Sequence, residues 1–377
     1  MRIRTPLCDR LGIEVPLFAF SYQPEVAAAV SKAGGLGVLG ALRFSPEELD
    51  AAMAWIESEV GGRPYGIDVV MPASSAKVDA ASPEDLKAQL EAMIPDAHRA
   101  FVEQILDKYD VPPLDESGEE VRGVLGWTDL SAQAQLDVIW RHHPALLANA
   151  LGPPPIDVVA AAHERDVPVA ALVGRVDQAL AQRDVGVDIV VAQGTEAGGH
   201  TGEISTFVLV PEVVDAVAPL PVLAAGGIGS GRQVAAALAL GAQGAWTGSI
   251  WLTTAEHELS AAVRQKLLAA SSRDAVRSRA LTGKPARQLR TAWTEAWEGP
   301  DSPGTLPMPL QYLLTAEAQR RIHQADHPEL QGMPVGQIVG SLTEVRPVRE
   351  VVERLVRELE ESVGLLSGLV QQPQEAP

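Results

Sequence analysis

The sequence predicts an α/β fold: one (β/α)8 barrel of the TIM type, with a helical insertion and a C-terminal helical extension. Three observations predict this class. Short runs of β-branched and small apolar residues recur along the chain, segments of helical periodicity alternate with them, and Gly and Pro separate the two. Eight strand–helix repeats favour a closed parallel barrel over an open sheet.

Eight runs are predicted to be strands, and most are continuously apolar, as in DIVVAQG and PVLAAGG. Strands of a parallel barrel have this composition because helices cover the outside of the barrel and side chains fill its interior. The predicted strands span 15–20, 36–41, 65–71, 145–151, 168–174, 188–194, 221–228 and 244–251.

The intervening helical segments carry start and stop signals. PEVAAAVSKAGG begins with Pro24 and stops at a pair of glycines. In SPEELDAAMAWIESEVGG, Ser45 is the predicted N-cap, Pro46 occupies the first helical position and Glu48 follows the cap by three residues. These segments are therefore predicted to be the helices that cover the barrel.

Two segments depart from the repeat and set the predicted division of the chain into 1–72, 73–143, 144–254 and 255–377. The segment 73–143 is charged and mainly helical, and it follows the third strand on the side where barrel enzymes carry lids, so we expect a lid-like insertion. The last segment ends in an amphipathic helix, REVVERLVRELEESVGLL. That helix could pack on its own barrel or on a partner, which leaves a homodimer open.

Composition excludes several classes of protein. The chain has 49 acidic and 30 basic residues and a formal charge of −19, which disfavours a nucleic-acid partner. It contains no apolar run long enough for a membrane span and no signal-peptide pattern at its start, so we expect a cytoplasmic protein. Cys8 is the only cysteine, and no His/Asp/Glu cluster has ligand spacing, so neither a disulfide nor a metal site is expected.

Two glycine-rich turns follow the seventh and eighth predicted strands. One is AAGGIGSG at 224–231, with Ala225, Gly226 and Gly227, and the other is WTGS at 246–249, with Gly248 and Ser249. The loops after these two strands of a barrel commonly bind phosphate, since glycine lets backbone amides approach and a helix N-terminus adds positive partial charge. AAGGIGSG alone fits a tight turn equally well, but the neighbouring pair favours phosphate. The pattern lacks the Lys-Ser/Thr of a Walker loop.

His200 is the candidate catalytic residue. It follows Gly199 in QGTEAGGHTG, after the sixth predicted strand, where the catalytic residues of barrels lie. Histidine suits proton transfer near neutral pH. Glu196 could orient the imidazole or could be solvated, and the residues favour neither. The remaining histidines are interpreted as surface residues without a catalytic role: His98, His142, His143, His163, His257, His323 and His327.

These motifs are similar to those of the nitronate monooxygenase family, flavin enzymes formerly called 2-nitropropane dioxygenases. The resemblance covers most of the chain and is carried by PEVAAAVSKAGGLGVLG, RPYGIDVVMP, VVAQGTEAGGHTG, PVLAAGGIGSGRQVAAALALGAQGAWTGSIWL and LTGKPARQLR. It implies non-covalent FMN, with His200 facing the flavin. The cofactor-binding residues expected from it and from the turns are Asp68, Gln193, Gly194, Gly199, Ala225, Gly226, Gly227, Gly248 and Ser249.

The implied activity is the oxidation of alkyl nitronates by dioxygen to a carbonyl compound and nitrite. His200 would be the base when the substrate is a neutral nitroalkane, or, protonated, would stabilise the charge of a substrate that is already an anion. The alternative within the flavin class is an NAD(P)H-dependent reductase of enoyl thioesters or quinones. A non-catalytic phosphate-binding barrel, or a dehydrogenase with a nucleotide substrate, represents another class.

The chain departs from the family pattern at three places. The first strand runs into Phe20-Ser21-Tyr22, Asp68 stands where the family usually carries Asn, and the segment 73–143 is longer than in compact members. An acid beside the flavin would repel an anionic nitronate. These departures affect the expected substrate more than the expected cofactor.

Overall fold

Eight parallel strands form a closed barrel in the computed structural model, which describes residues 3–71, 83–114 and 129–369. Around the barrel each strand pairs with the next one, and the last pairs with the first. The predicted barrel class is confirmed. Its strands are β1 Leu17–Ser21, β2 Leu36–Gly40, β3 Tyr65–Asp68, β4 Leu146–Asn149, β5 Val169–Val173, β6 Ile189–Gln193, β8 Val222–Ala225 and β9 Gly244–Thr247.

Each predicted run corresponds to one barrel strand. Seven of the eight strands end earlier than expected, and β1 ends one residue later, at Ser21. The run 221–228 yields only Val222–Ala225, because Gly226 and Gly227 have φ values of 97° and 71° and turn the chain out of the sheet. The backbone that follows β8 is therefore a turn, not strand.

Helices surround the barrel and extend from it. The cap predicted at Ser45 forms, because its side chain accepts from the amide of Glu48 and the Glu48 carboxylate accepts from the amide of Ser45. The helices are α1 Pro6–Leu11, α2 Pro24–Lys32, α3 Pro46–Val60, α4 Pro83–Ala92, α5 Asp96–Lys108, α6 Asp129–Ile139, α7 Ile156–His163, α8 Val176–Asp184, α9 Thr206–Val217, α10 Gly231–Ala239, α11 Ala261–Ala269, α12 Ala292–Glu298, α13 Leu310–Gln324 and α14 Val348–Gly368.

A second, three-stranded sheet was not predicted. It consists of β7 Gly199–His200, β10 Ala275–Ser278 and β11 Ala286–Leu289, in the order β10–β11–β7. β7 pairs with β11 antiparallel, with His200 opposite Ala286. The loop that follows β6 is thereby held by a strand from the C-terminal extension.

The insertion and the extension pack against each other and against the barrel. Helix α5 packs on α13 around an apolar cluster that includes Phe101, Trp293 and Trp297. Helix α14, the predicted C-terminal amphipathic helix, packs along α10 of its own barrel. Residues 73–82 and 115–128 of the predicted insertion lie outside the described residues, and its lid-like role stays a prediction.

Candidate active site

Side-chain alternation along the strands directs three of the predicted residues into the barrel. Tyr65 and Ile67 of β3 pack outward against the helices, so Asp68, one residue further, faces the interior. By the same alternation Gln193 of β6 and Ala225 of β8 face inward, as continuations of the interior apolar cluster. Because all three stand at carboxyl ends of strands, they meet at the catalytic end of the barrel.

The two glycine turns lie side by side past the ends of β8 and β9. Ala225 pairs with Trp246 in the sheet, so Gly226–Gly227 and Gly248 follow neighbouring strands. Within the described part of the chain, the amides of these three glycines donate to no protein acceptor. A Cβ placed on Gly248 would meet no protein atom within 4 Å. The turn after β9 therefore borders open space, whereas a Cβ on Gly226 would lie 2.9 Å from the hydroxyl oxygen of Thr206. Both turns carry amides that have no acceptor among the described residues.

Hydrogen bonds hold the turn after β9 in place. The Thr247 hydroxyl donates to the carbonyl oxygen of Phe18 at 2.9 Å, and the Trp251 indole lies 3.0 Å from the same hydroxyl. The hydroxyl of Ser249 accepts from the amide of Gly336 at 2.7 Å, which connects this turn to the C-terminal extension. Gly248 is thus presented by a rigid backbone.

The start of α10 is already capped by the protein. The amide of Gly231 donates to the Glu358 carboxylate of α14 at 2.7 Å, and the side chain of Ser230 accepts from the amide of Gln233. The negative charge of Glu358 therefore compensates the positive partial charge of this helix N-terminus. The turn amides remain as the donors for an anion.

His200 is held on the sheet formed with the extension. Its Nε2 lies 2.8 Å from the hydroxyl oxygen of Thr282. Burial, and to a lesser degree the positive charge of Lys284, lower the pKa of His200 to about 4. The imidazole is therefore neutral at physiological pH and can accept a proton.

Glu196 neither orients the His200 imidazole nor stands free in solvent, the two roles considered from the sequence. Its carboxylate accepts from the amide of Thr206 at 3.0 Å and from the Thr206 hydroxyl at 2.8 Å, and so caps α9. The Thr206 hydroxyl also lies 3.0 Å from the carbonyl oxygen of Gly226. Thr206 thereby joins the loop that carries His200 to the turn after β8.

Gly194 must be glycine for an internal reason. A Cβ at this position would overlap the amide nitrogen and hydroxyl of Thr206. Gly199 differs, because its φ is 79° and a Cβ there would meet nothing within 4 Å. Of the predicted flavin-lining glycines, Gly199 borders open space and Gly194 serves the packing of its own loop.

Three residues at the mouth were missed by sequence reasoning. Tyr22 follows β1, and the Arg43 guanidinium lies 4.4 Å from the centre of its ring. Burial raises the pKa of Tyr22, the charge of Arg43 lowers it and that of Asp68 raises it, so these groups share one electrostatic environment. Tyr312 of α13 belongs to it too, since burial raises its pKa and Arg43 lowers it. Tyr22 had a signal, its position at a strand end, whereas Tyr312 had none.

The interpretation of His257 as a surface residue was wrong. Its side chain is 7% exposed, it lies outside any helix, and Nδ1 has no partner among the described residues. Burial is the largest cause that lowers its pKa to about 4. A position between two elements carries no periodicity, so its burial could not be read from the pattern.

Comparisons with known proteins match the chain to monooxygenases. A family model described as nitronate monooxygenase matches residues 6–358. A Mycobacterium tuberculosis protein that carries the name monooxygenase is 52% identical over 381 residues, covering 98% of this chain and all of the relative.

Solved structures of two proteins are also similar. Nitroalkane oxidase from Streptomyces ansochromogenes superposes with a TM-score of 0.77 at 26% identity, over 96% of this chain and 99% of that one. FabK from Thermotoga maritima has a TM-score of 0.71 at 27% identity, over 98% and 100%. Among the described helices, none combines the length and apolar composition that crossing a bilayer requires.

Proposed function

Since the chain belongs to the nitronate monooxygenase family and is an oxidoreductase, we propose that it uses FMN to oxidise alkyl nitronates with dioxygen. The products would be a carbonyl compound and nitrite. The observation that carries the proposal is the position of His200 on the loop after β6, a loop that Thr206 joins through Glu196 to a glycine turn whose amides have no acceptor among the described residues.

The residues present fit an FMN molecule. The unpartnered amides of Gly226, Gly227 and Gly248 would hold the phosphate, because anions bind such clusters of backbone donors. Asp68, at the carboxyl end of β3 and with a buried Oδ1 that has no partner among the described residues, is proposed to contact the isoalloxazine. Gln193, Gly194, Gly199, Ala225 and Ser249 complete the proposed cofactor site. The chemistry that FMN would supply when bound is electron transfer between the substrate and dioxygen.

His200 is proposed to be the base for a neutral nitroalkane. A pKa of about 4 leaves the imidazole unprotonated near neutral pH, so it can take the proton from the α-carbon. The same value argues against a cationic imidazole as the partner of a preformed nitronate. Thr282 restrains the ring through its contact with Nε2. The expected difference is that nitroalkane turnover needs His200 more than nitronate turnover does.

The test compares the two substrates in one preparation. We expect a yellow protein that releases FMN, and a His200→Asn variant that retains FMN while nitroalkane turnover falls about 10²–10⁴-fold. His163→Asn is the control, because His163 pairs with Asp188 at the start of β6, at the opposite end of the barrel. Unchanged turnover in His200→Asn would contradict the base role.

The reductase alternative gives a separate outcome. Rapid bleaching of the flavin by NADH or NADPH without oxygen, together with no nitrite from nitronates, would replace the proposed activity with a reductase. A colourless protein that cannot be reconstituted with FMN would overturn the cofactor.

A further inference from the structure

Asp68 is a buried acid without a compensating partner. It is the last residue of β3, faces the barrel interior and is 6% exposed. Within the part of the chain that the structure describes, Oδ1 has no hydrogen-bond partner. A buried polar group without a partner destabilises a protein, so such a group is expected to find its partner in water or in a bound ligand.

The elements packed against β3 offer little to stabilise a negative charge. In the sheet Asp68 pairs with Gly40 of β2 and Ala148 of β4, and neither ionises. Among the residues that the structure describes, the charged or titratable groups near Asp68 are Tyr22 and Arg43. The Arg43 guanidinium is placed over the Tyr22 ring.

Two further titratable groups are affected electrostatically by Arg43 but not by Asp68. They are Tyr312 of α13 and His257, whose pKa values Arg43 lowers. Burial alone raises the pKa of Asp68, to about 7. The carboxyl group can therefore carry its proton at physiological pH, and the proton is available for donation.

We propose that Asp68 binds the cofactor as a neutral carboxylic acid, donating a hydrogen bond from its carboxyl O–H to an acceptor atom of the flavin ring. This rests on the proposed function. It makes Asp68 a cofactor-binding residue whose own protonation state sets the affinity, because ionisation removes the donor and leaves a carboxylate facing the same acceptor. FMN affinity then depends on the protonation of this one side chain.

The predicted signature is a pH dependence that an isosteric amide lacks. FMN dissociation constants are measured by quenching of flavin fluorescence for the wild type and Asp68→Asn, between about pH 5.5 and about pH 8.5, which brackets the carboxyl pKa. The amide keeps a donor but cannot ionise. The FMN phosphate also titrates in this range, with a pKa near ~6, but it affects both proteins alike. The quantity of interest is the ratio of the two constants.

We expect the ratio of wild-type to Asp68→Asn dissociation constants to rise about tenfold from the acidic to the alkaline end, equivalent to a one-unit shift of the carboxyl pKa on binding. Asp68→Ser, which also has a donor that does not ionise, should behave like the amide and serves if the amide variant does not fold. A ratio that stays constant with pH would overturn the inference alone. Failure of the wild type to bind FMN at any pH would overturn the proposed function and this inference together.

Discussion

The turns at Gly226–Gly227 and Gly248, which we propose to bind the FMN phosphate, are called the phosphate cradle. Gly248→Ala tests this cradle directly. A Cβ at position 248 meets no protein atom within 4 Å, and the backbone there has φ −131°, outside the left-handed region. The ligand-free protein should therefore accept the methyl group, with a change in the free energy of unfolding within about 1 kcal/mol. The same methyl group would project into the space that we assign to the FMN phosphate.

The cost in binding follows from the hydrogen bonds that are lost. A phosphate displaced from this turn loses one charge-assisted hydrogen bond from a backbone amide, about 1.5–3 kcal/mol. That energy corresponds to roughly 10- to 150-fold weaker FMN binding. The measurement is a fluorescence titration of apoprotein with FMN, combined with thermal unfolding of the apoprotein.

Gly364→Ala is the matched control. Gly364 lies in α14, and a Cβ there also meets no protein atom within 4 Å, but α14 is a surface helix of the extension. It should leave FMN affinity unchanged. The cradle would be refuted if Gly248→Ala bound FMN as tightly as the wild type, or if its apoprotein lost stability to the same extent as its affinity.

Three further outcomes are expected. Gly194→Ala should lower the free energy of unfolding by about 1–3 kcal/mol in a denaturant titration, because its methyl group overlaps Thr206, and an unchanged midpoint would contradict this. Glu358→Ala should lower the free energy of unfolding by about 0.5–2 kcal/mol by removing the acceptor for the Gly231 amide, while FMN affinity stays constant; a large gain of affinity would place the phosphate at α10 instead, because the substitution frees that amide and removes a competing anion. The pKa of His200 is lower in the folded chain, about 4, than its ordinary value of 6.5, so the unfolded chain binds the proton first and stability falls as pH drops through this interval. His200→Asn should weaken the dependence of the free energy of unfolding on pH over this interval. Nitroalkane turnover by the wild type should rise with pH through about 4, and turnover that does not change with pH there would refute the role of His200 as the base.

The local sequence determined much of the fold and part of the site. Apolar runs bounded by glycine located all eight barrel strands, because burial on both faces leaves its mark on consecutive residues. The predicted runs contained Asp68, Gln193 and Ala225, but only the structure ends the strands at these residues. Alternation along the shortened strands then directs the three side chains inward.

Tertiary structure decided what depends on residues far apart in the chain. The two residues of β7 are too few to show a period, and they become a strand only because Ala286 and Arg287 arrive beside them. The extension likewise supplies three side chains to the site and its surroundings: Thr282 at His200, Glu358 at the start of α10, and Tyr312 near Arg43. Local periodicity reports only whether a side chain faces the core or the solvent. Which polar groups meet, and hence what protonation state they hold, is set by long-range packing and burial, which a single sequence does not display.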